Sequence, residues 1–272
     1  MTWDVFVDTG ERMLGRVIAN TGRFLISSAV VSGRSMILLK KAVLTGGALV
    51  KKPRVISEPL YICLVKPLIL VAAVSFLTGM VLAMQTGRAM QQWGFEREVG
   101  GLVGVAMARE MGPLWAAVIV TAAVGSSIAA ELGTMKVSEE IDALEVMAVD
   151  PVRFLVMPRI TALVLAVPIL AVYADAIGFF GGGFIARNML GVTYNLYLDS
   201  AKYFVETKDI WTGVFKAVWF GLAIGVIACD QGMNTSGGAE GVGKATINTV
   251  VLSIIMILII NFILSAFFFP KS

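Results

Sequence analysis

Long apolar runs separated by short polar segments follow the first 66 residues of the chain. A helix that crosses a bilayer needs about 20 mostly apolar residues. The runs that approach this length are residues 67–84, 111–130, 160–186, 217–229 and 245–269. The second extends back to Val99 if its flanking small residues are included, and the fourth is short unless it begins near Trp211. The pattern predicts an all-α integral membrane protein with a five-span domain over residues 67–269.

The third run is the longest and the least regular. It contains Pro168 and three consecutive glycines at 181–183, so a kink or a break is expected there. Asp175 interrupts it, and either faces a cavity, pairs with a cation or lies near the outer end, where its charge costs little. The glycine pairs at GxxxG spacing are Gly178/Gly182 and Gly221/Gly225. Such pairs would mark helix contacts, either within the chain or across a dimer.

The first 66 residues are basic and amphipathic, with ten Lys and Arg residues against four Asp and Glu. This suits a helix that lies on the membrane surface while Lys and Arg reach the headgroups. A cytoplasmic tail without membrane contact is the alternative. Because basic residues favour the cytoplasmic side, the N-terminus is predicted inside. Residues 131–159 and 230–244 are then also inside, and the segments predicted outside are 85–100, 188–210 and the C-terminus.

Composition narrows the chemistry. The chain is 57% hydrophobic and 15% charged, against roughly 25% charged residues in soluble proteins. It has no histidine, the commonest general base and a common metal ligand. No basic tract interleaved with aromatic residues suggests nucleic acid. Residues 238–245 nearly match a phosphate-binding loop, but Ala245 stands where a magnesium-binding hydroxyl is required. We therefore expect no metal, no cofactor and no nucleotide on this chain.

Arg109 and Glu110 stand at the head of the second run. If the helix begins near Val99, they lie about 15 Å inside it, where ionisable residues are expensive and usually functional. If it begins at Met111, they are merely interfacial. Gly112-Pro113 favours a distorted helix and a local cavity. The guanidinium matches a phosphate headgroup, and Glu110 would neutralise it when the site is empty.

Lys216, at the start of the fourth run, is a second candidate cation near the outer face. An ordinary lysine that snorkels to the interface is the alternative.

A short amphipathic helix is predicted over residues 138–148, between the second and third runs. Ser138 suits an N-cap, and the proline of Asp150-Pro151 ends the helix. An apolar stripe is formed by Val137, Ile141, Leu144 and Ala148. Acidic residues flank it at Glu139, Glu140, Asp142 and Glu145. The helix either docks its stripe into a groove on a partner or is a solvated loop helix.

At these motifs the chain resembles the MlaE/YrbE family, the permease subunits of ABC-type transporters of phospholipids and related lipids. The matching stretches are residues 109–113, 129–136, 141–151 and 234–243. The resemblance covers roughly residues 50–269, and its central motif is long and ungapped.

The resemblance implies a homodimeric, non-catalytic permease in the cell inner membrane. It also implies a separate ATPase that binds ATP and magnesium, an MCE-domain ring on the outer side, and in some systems a STAS-type accessory subunit. The cargo would be phospholipid, and the role would be maintenance of outer-membrane lipid asymmetry.

Carried over by position, the lipid-binding residues would be Arg109, Glu110, Met111, Lys216, Asn261, Met80 and Met84. The residues that couple to the ATPase would be Glu139, Glu140, Ile141, Asp142, Leu144, Glu145 and Met147. Asn261 stands where some relatives have aspartate, which puts a charge pair with Lys216 in doubt.

Two other classes of function are weighed against a permease. A membrane-embedded enzyme that modifies lipids would need a base or a metal site, and neither HExxH nor GxSxG occurs. Charged residues such as Arg109 and Glu110 are energetically unfavourable inside a span, and a membrane anchor that only assembles partners would not require them.

Overall fold

The computed structural model describes residues 53–269, so the surface helix predicted for the N-terminal region lies, up to residue 52, outside the described residues. The helices are α1 (Pro53–Gln91), α2 (Val99–Ala106), α3 (Gly112–Val120), α4 (Ser126–Val137), α5 (Glu140–Val146), α6 (Met157–Met189), α7 (Tyr194–Phe204), α8 (Thr207–Met233) and α9 (Gly238–Phe268). The described part of the chain contains no strand.

Five helical stretches are long and apolar enough to cross a membrane, which confirms the predicted all-α membrane protein. In chain order, spans 1 to 5 are Val55–Gln91, Glu96–Val137, Val152–Met189, Thr207–Met233 and Gly238–Phe268. Most are longer than the apolar runs alone indicate. Span 1 passes through Pro59 and Pro67 without ending, and span 4 begins before Trp211 and is therefore of full length.

Span 2 is continuous but distorted at two places. Its helices α2, α3 and α4 are joined by π-helical turns at Met107–Met111 and Thr121–Gly125. Such turns insert one extra residue into a helix and occur frequently at functional sites. The first contains Arg109 and Glu110 and ends directly before Gly112-Pro113. The distortion predicted at this position is confirmed, and both charged residues lie inside the span.

Helix α6 lies at the centre of the bundle and packs against α1, α3 and α8. A Cβ atom added at Gly79 would lie 1.8 Å from the carbonyl oxygen of Gly178, and one at Gly221 would lie 2.5 Å from that of Leu163. Backbones therefore approach closely only because these residues are glycine. Both GxxxG pairs of the sequence thus mark helix contacts within the chain.

The break that the sequence left open in the third run is not observed, since α6 runs without interruption from Met157 to Met189, and a kink at this place stays a prediction. Glycines 181–183 serve close packing instead. A Cβ atom at Gly181 would lie 2.3 Å from the carbonyl oxygen of Phe76, and one at Gly183 would lie 3.1 Å from the Tyr194 ring. Pro168 is tolerated inside the helix, as prolines often are in membrane spans.

The bundle has two distinct ends. Helix α5 follows span 2 and α7 follows span 3, so they lie at opposite ends, which we call the α5 end and the α7 end. Ile141 of α5 packs in one apolar cluster with Leu155. Tyr197 of α7 packs in another with Val99, where span 2 begins.

Candidate functional site

A network of charged side chains joins spans 2, 4 and 5 near the α7 end. Arg109 Nε donates a hydrogen bond of 2.6 Å to Asp209 Oδ1, at the start of α8. Lys216 Nζ, two turns further along α8, lies 2.7 Å from Glu110 Oε1. Side chains adjacent in sequence on a helix do not face each other. The predicted pairing of Arg109 with Glu110 is therefore wrong, because each residue finds its partner on span 4.

Lys216 is fully buried, and its alternative interpretation as a lysine that snorkels to the interface is wrong. Its ammonium donates to Glu110 Oε1, to Ser265 Oγ at 2.7 Å and to the carbonyl oxygen of Arg109 at 2.9 Å. An ammonium has three donors, so all of them are used. The buried charge is thereby both neutralised and fully hydrogen-bonded, and these interactions offset the cost of removing it from water.

The carbonyl oxygen of Arg109 can accept a hydrogen bond from Lys216 because residue 113 is proline. In a regular helix this oxygen accepts from the N–H four residues later, which is position 113, and proline has no N–H. Span 4 comes close enough because Gly213 faces the π-helical turn, where a Cβ atom would lie 2.1 Å from the carbonyl oxygen of Ala108. The proline and the glycine together create the site for the lysine ammonium.

Span 5 completes the coordination of Glu110. Asn261 Nδ2 donates to Glu110 Oε2 at 2.6 Å, and Ser265 Oγ lies 2.7 Å from Glu110 Oε1. The amide thus bonds the acid directly, and Lys216 finds its charge partner in Glu110. An aspartate at position 261 could not donate this bond and would place a second negative charge beside Glu110.

Arg109 is the accessible cation of the network, since Lys216 is fully buried. The Arg109 side chain is 34% exposed, whereas Asp209 is 0% exposed. Asp209 Oδ2 also accepts from the backbone N–H of Glu206 at 3.1 Å, so it is held in a capping box at the start of α8. The Phe269 ring packs against the guanidinium, with its centroid 4.3 Å from Cζ. Among residues 53–269, this guanidinium donates a side-chain hydrogen bond from Nε only, so both Nη groups can donate to a ligand.

The three candidate methionines lie at the same end of the bundle. Met80, Met84 and Met111 are half-buried and pack against the apolar cluster that contains Val99 and Tyr197. Met111 follows Glu110 directly, and therefore links this cluster to the charged network. The contacts of Met80 and Met84 are with apolar side chains.

Asp175 lies against the same π-helical turn. A Cβ atom at Gly112 would lie 1.7 Å from Asp175 Oδ1, so span 3 touches span 2 two residues after Glu110. This oxygen is buried and has no hydrogen-bond partner among the described residues. Of the alternatives that the sequence left open, an ion pair with a cation is not observed in that part of the chain.

Helix α5 is shorter than predicted. Ser138 is not its N-cap, since its hydroxyl donates to the Thr134 carbonyl at 2.6 Å, and Glu139 occupies the cap at φ 60°. Two residues of the predicted apolar stripe face the bundle, since Ile141 is 2% exposed and Leu144 packs against the same core. The other two, Val137 and Ala148, are exposed. The large apolar side chains exposed at the end of α5 are Val146 and Met147, at 89% and 64%.

The charged part of α5 is exposed. Glu139, Glu140 and Glu145 lie on the surface, and Asp142 forms an ion pair with Lys136 of α4 at 2.5 Å. The helix ends where Ala148 adopts φ 57°, with the N–H of Val149 bonded to the Leu144 carbonyl. This is a Schellman ending, which normally requires glycine.

A model of the permease MlaE family matches residues 56–267 of the chain. The chain belongs to the MlaE permease family. Among its relatives, a probable ABC transporter permease protein of Rickettsia prowazekii is 37% identical over 224 residues, which are 79% of this chain and 86% of that protein. The Haemophilus influenzae intermembrane phospholipid transport system permease protein MlaE is 33% identical over 230 residues, 82% of this chain and 88% of that protein.

A plant protein shows the same similarity. The chloroplastic protein TRIGALACTOSYLDIACYLGLYCEROL 1 of Arabidopsis thaliana is 38% identical over 195 residues, which are 72% of this chain and 56% of that protein. The predicted membership of the MlaE family and the predicted permease function are thereby confirmed.

Sequence reasoning missed two members of the network in this MlaE permease, Asp209 and Ser265. A capping-box pattern, Glu206 followed by Asp209, was visible in the sequence but indicates only a helix start. Ser265 follows Asn261 by four residues and so shares its helix face, which was a usable signal. The pairing of Asp209 with Arg109 spans 100 residues, and no local pattern encodes it.

Proposed function

We propose that this MlaE permease moves phospholipid, and that the Arg109 guanidinium binds the lipid phosphate at the α7 end. The observation that carries the proposal is a half-exposed guanidinium inside a membrane span, held by a fully buried carboxylate and with both Nη groups unoccupied. Arginine binds phosphate with two parallel hydrogen bonds. The phospholipid transport named for the Haemophilus influenzae relative supports this cargo.

The other members of the network act as positioning residues. Asp209 orients the guanidinium through Nε, and the Phe269 ring limits its movement on the other side. Lys216 pairs with Glu110 and Arg109 pairs with Asp209, so the network is neutral overall, and Arg109 offers its Nη groups as hydrogen-bond donors. The exposed apolar faces nearby would accommodate the acyl chains.

The permease works as a homodimer with a separate ATPase. In the apolar 18-residue stretches of spans 1 and 5, 22% and 11% of the residues are buried, against 67% in span 4, so the described parts of these two helices have apolar faces available for a second copy and for lipid. An ATPase that hydrolyses ATP with magnesium would bind α5 at the other end. The MCE-domain ring, and a STAS-type subunit where present, are further partners that the family suggests.

Helix α5 would dock through its exposed acids and through Val146 and Met147, while Ile141 and Leu144 fix it to the bundle. A movement of the ATPase is then transmitted directly to span 2, since α5 follows α4 after two residues. In this arrangement the α5 end and the N-terminus are cytoplasmic, and the α7 end and the C-terminus lie outside the inner membrane.

Purification in mild detergent tests the lipid site. We expect Arg109→Ala to retain markedly less phospholipid, measured by mass spectrometry of the extracted complex, because the phosphate loses its bidentate partner. Arg187→Ala is the matched control, since Arg187 is an exposed arginine at the same end. Equal lipid content in wild type and Arg109→Ala would remove this residue from the site.

Charge reversal tests the coupling helix. Glu140→Lys together with Glu145→Lys should abolish co-purification of the ATPase and leave membrane insertion intact. Glu240→Lys is the control, because Glu240 is an equally exposed acid on α9. If the ATPase remained bound to the double variant, the docking role of α5 would be wrong.

A further inference from the structure

A cleft of about 310 Å³ lies at the α5 end, far from the charged network. It is bounded by α1, by α4 and by the start of span 3. Its apolar wall includes Ile62 and Phe154, which are 37% and 59% exposed. Lys66 and Ser127 form its polar wall. The cleft therefore combines apolar surface with a cation at the edge of the apolar run that begins at residue 67.

Lys66 is the unusual residue of this cleft. It follows Val55, where span 1 begins, by 11 positions, or about 16 Å of helix. Its ammonium donates to Ser127 Oγ across the cleft at 3.4 Å. No carboxylate of the described residues lies within ion-pair distance of it. Lys66 directly precedes the apolar run of residues 67–84, so its ammonium is within reach of the lipid headgroups.

The second cation of the cleft is already neutralised. Arg159 Nη2 lies 2.6 Å from Glu131 Oε1, and Nη1 donates to the Leu155 carbonyl at 2.8 Å. The acid Glu58 lines the cleft two helical turns before Lys66, or about 12 Å closer to the end of the span. From the membrane centre towards the α5 end, the cation Lys66 is therefore followed by the acid Glu58.

We propose that this cleft binds the headgroup of a phosphoethanolamine lipid from the leaflet at the α5 end. The phosphate accepts hydrogen bonds from the Lys66 ammonium and the Ser127 hydroxyl, and the lipid ammonium lies towards Glu58. In a bilayer the phosphate is the deeper group and the ammonium the one nearer to water, which matches the order of charges in the cleft. Beyond Lys66, the exposed apolar residues Ile69 and Leu77 of α1 receive the acyl chains.

This site is separate from the proposed transport site. Arg109 and Lys216 lie at the α7 end, whereas Lys66 and Ser127 lie at the α5 end, in a cleft that is also lined by Ile128 of the cluster that contains Ile141. A lipid in the cleft would contact spans 1, 2 and 3 at once. Its presence would therefore influence how these spans move against each other.

Photo-crosslinking gives a readout that is specific for the cleft. A photoreactive amino acid replaces Ile62 in the full chain, which is reconstituted in vesicles of phosphatidylcholine that contain labelled phosphatidylethanolamine, phosphatidylglycerol or diacylglycerol. We expect crosslinks to phosphatidylethanolamine and, more weakly, to phosphatidylglycerol, but not to diacylglycerol, which lacks phosphate. Crosslinks to a peptide of this chain or of a second copy would show a different occupant and would overturn the proposal.

Two variants identify the charges involved. Lys66→Gln should raise the concentration for half-maximal crosslinking of both phospholipids about tenfold or more, a factor that corresponds to about 1.4 kcal/mol. Glu58→Gln should affect phosphatidylethanolamine alone. Lys244→Gln is the matched control, since Lys244 is an exposed lysine of the same end that pairs with Glu240. Unchanged crosslinking in Lys66→Gln, or equal effects of the Lys66 and Lys244 variants, would refute the site.

Two further measurements distinguish this lipid site from a site for free anions and from the proposed transport site. Added inorganic phosphate should not compete, and full competition would indicate a site for free anions, which contradicts a lipid site. Arg109→Ala should leave the Ile62 crosslink unchanged. The Arg109 variant therefore tests the proposed transport site, and the Lys66 variant independently tests the proposed cleft.

Discussion

Lys216→Met tests whether the charged network stabilises the bundle. Methionine has a similar length and an unbranched, adaptable side chain, so the change removes the ammonium with little change of packing volume. Lys216 is fully buried and holds three acceptors on two other spans. Without it, Glu110 becomes a poorly compensated acid inside the bundle.

The magnitude follows from these contacts. Removing one partner of a buried ion pair costs about 3–5 kcal/mol. Glu110 is 34% exposed and keeps its bonds to Asn261 and Ser265, so we expect the lower end, about 3 kcal/mol. Combining Lys216→Met with Glu110→Gln removes both charges, and we expect a coupling of about 2 kcal/mol between the two changes.

Unfolding in detergent micelles with increasing dodecyl sulfate, followed by circular dichroism, measures this free energy. Lys202→Met is the control, because Lys202 is 77% exposed and forms only a surface pair with Asp199. The reasoning would be refuted by a loss for Lys216→Met no larger than that for Lys202→Met. It would equally be refuted by strict additivity of the Lys216 and Glu110 changes.

Three further changes probe other parts of the structure. Gly79→Ala should lower the unfolding free energy by several kcal/mol in the same assay, since its Cβ atom would lie 1.8 Å from the Gly178 carbonyl oxygen; a variant as stable as wild type would contradict the close approach. Ala148→Gly should stabilise the end of α5 by about 0.5–1 kcal/mol, because alanine at φ 57° is strained, and slower hydrogen exchange of the α5 amides would demonstrate it. Asp209→Asn should retain less phospholipid than wild type because Arg109 loses its charge partner, while the helical content stays unchanged; full lipid retention would show that Asp209 does not position the guanidinium.

The sequence was sufficient for the spans and for the location of the polar site. Apolar runs predicted five spans, and Gly112-Pro113 predicted the distortion around Arg109 and Glu110. The hydrogen-bond partners of the polar residues could not be predicted. Periodicity shows which residues share a helix face but not which helix lies opposite, so Asp209 could not be assigned to Arg109 from sequence.

Helix α5 shows the same limit. Ile141 and Leu144 of the predicted stripe pack on the bundle, whereas Val137 and Ala148 are exposed, so docking of the whole stripe on a partner stays a prediction. Val146 and Met147 lie outside the stripe and are exposed. An apolar face indicates burial, and the sequence alone does not tell whether the chain itself or another protein buries it.

The bond from Lys216 to the Arg109 carbonyl has a consequence for how such a permease can change during evolution. The acceptor is a main-chain oxygen that is available because position 113 is proline. Substitution of the side chain at position 109 leaves this attachment between spans 2 and 4 in place. If Arg109 binds the headgroup as proposed, this residue can vary, and cargo preference with it, while the two helices remain joined.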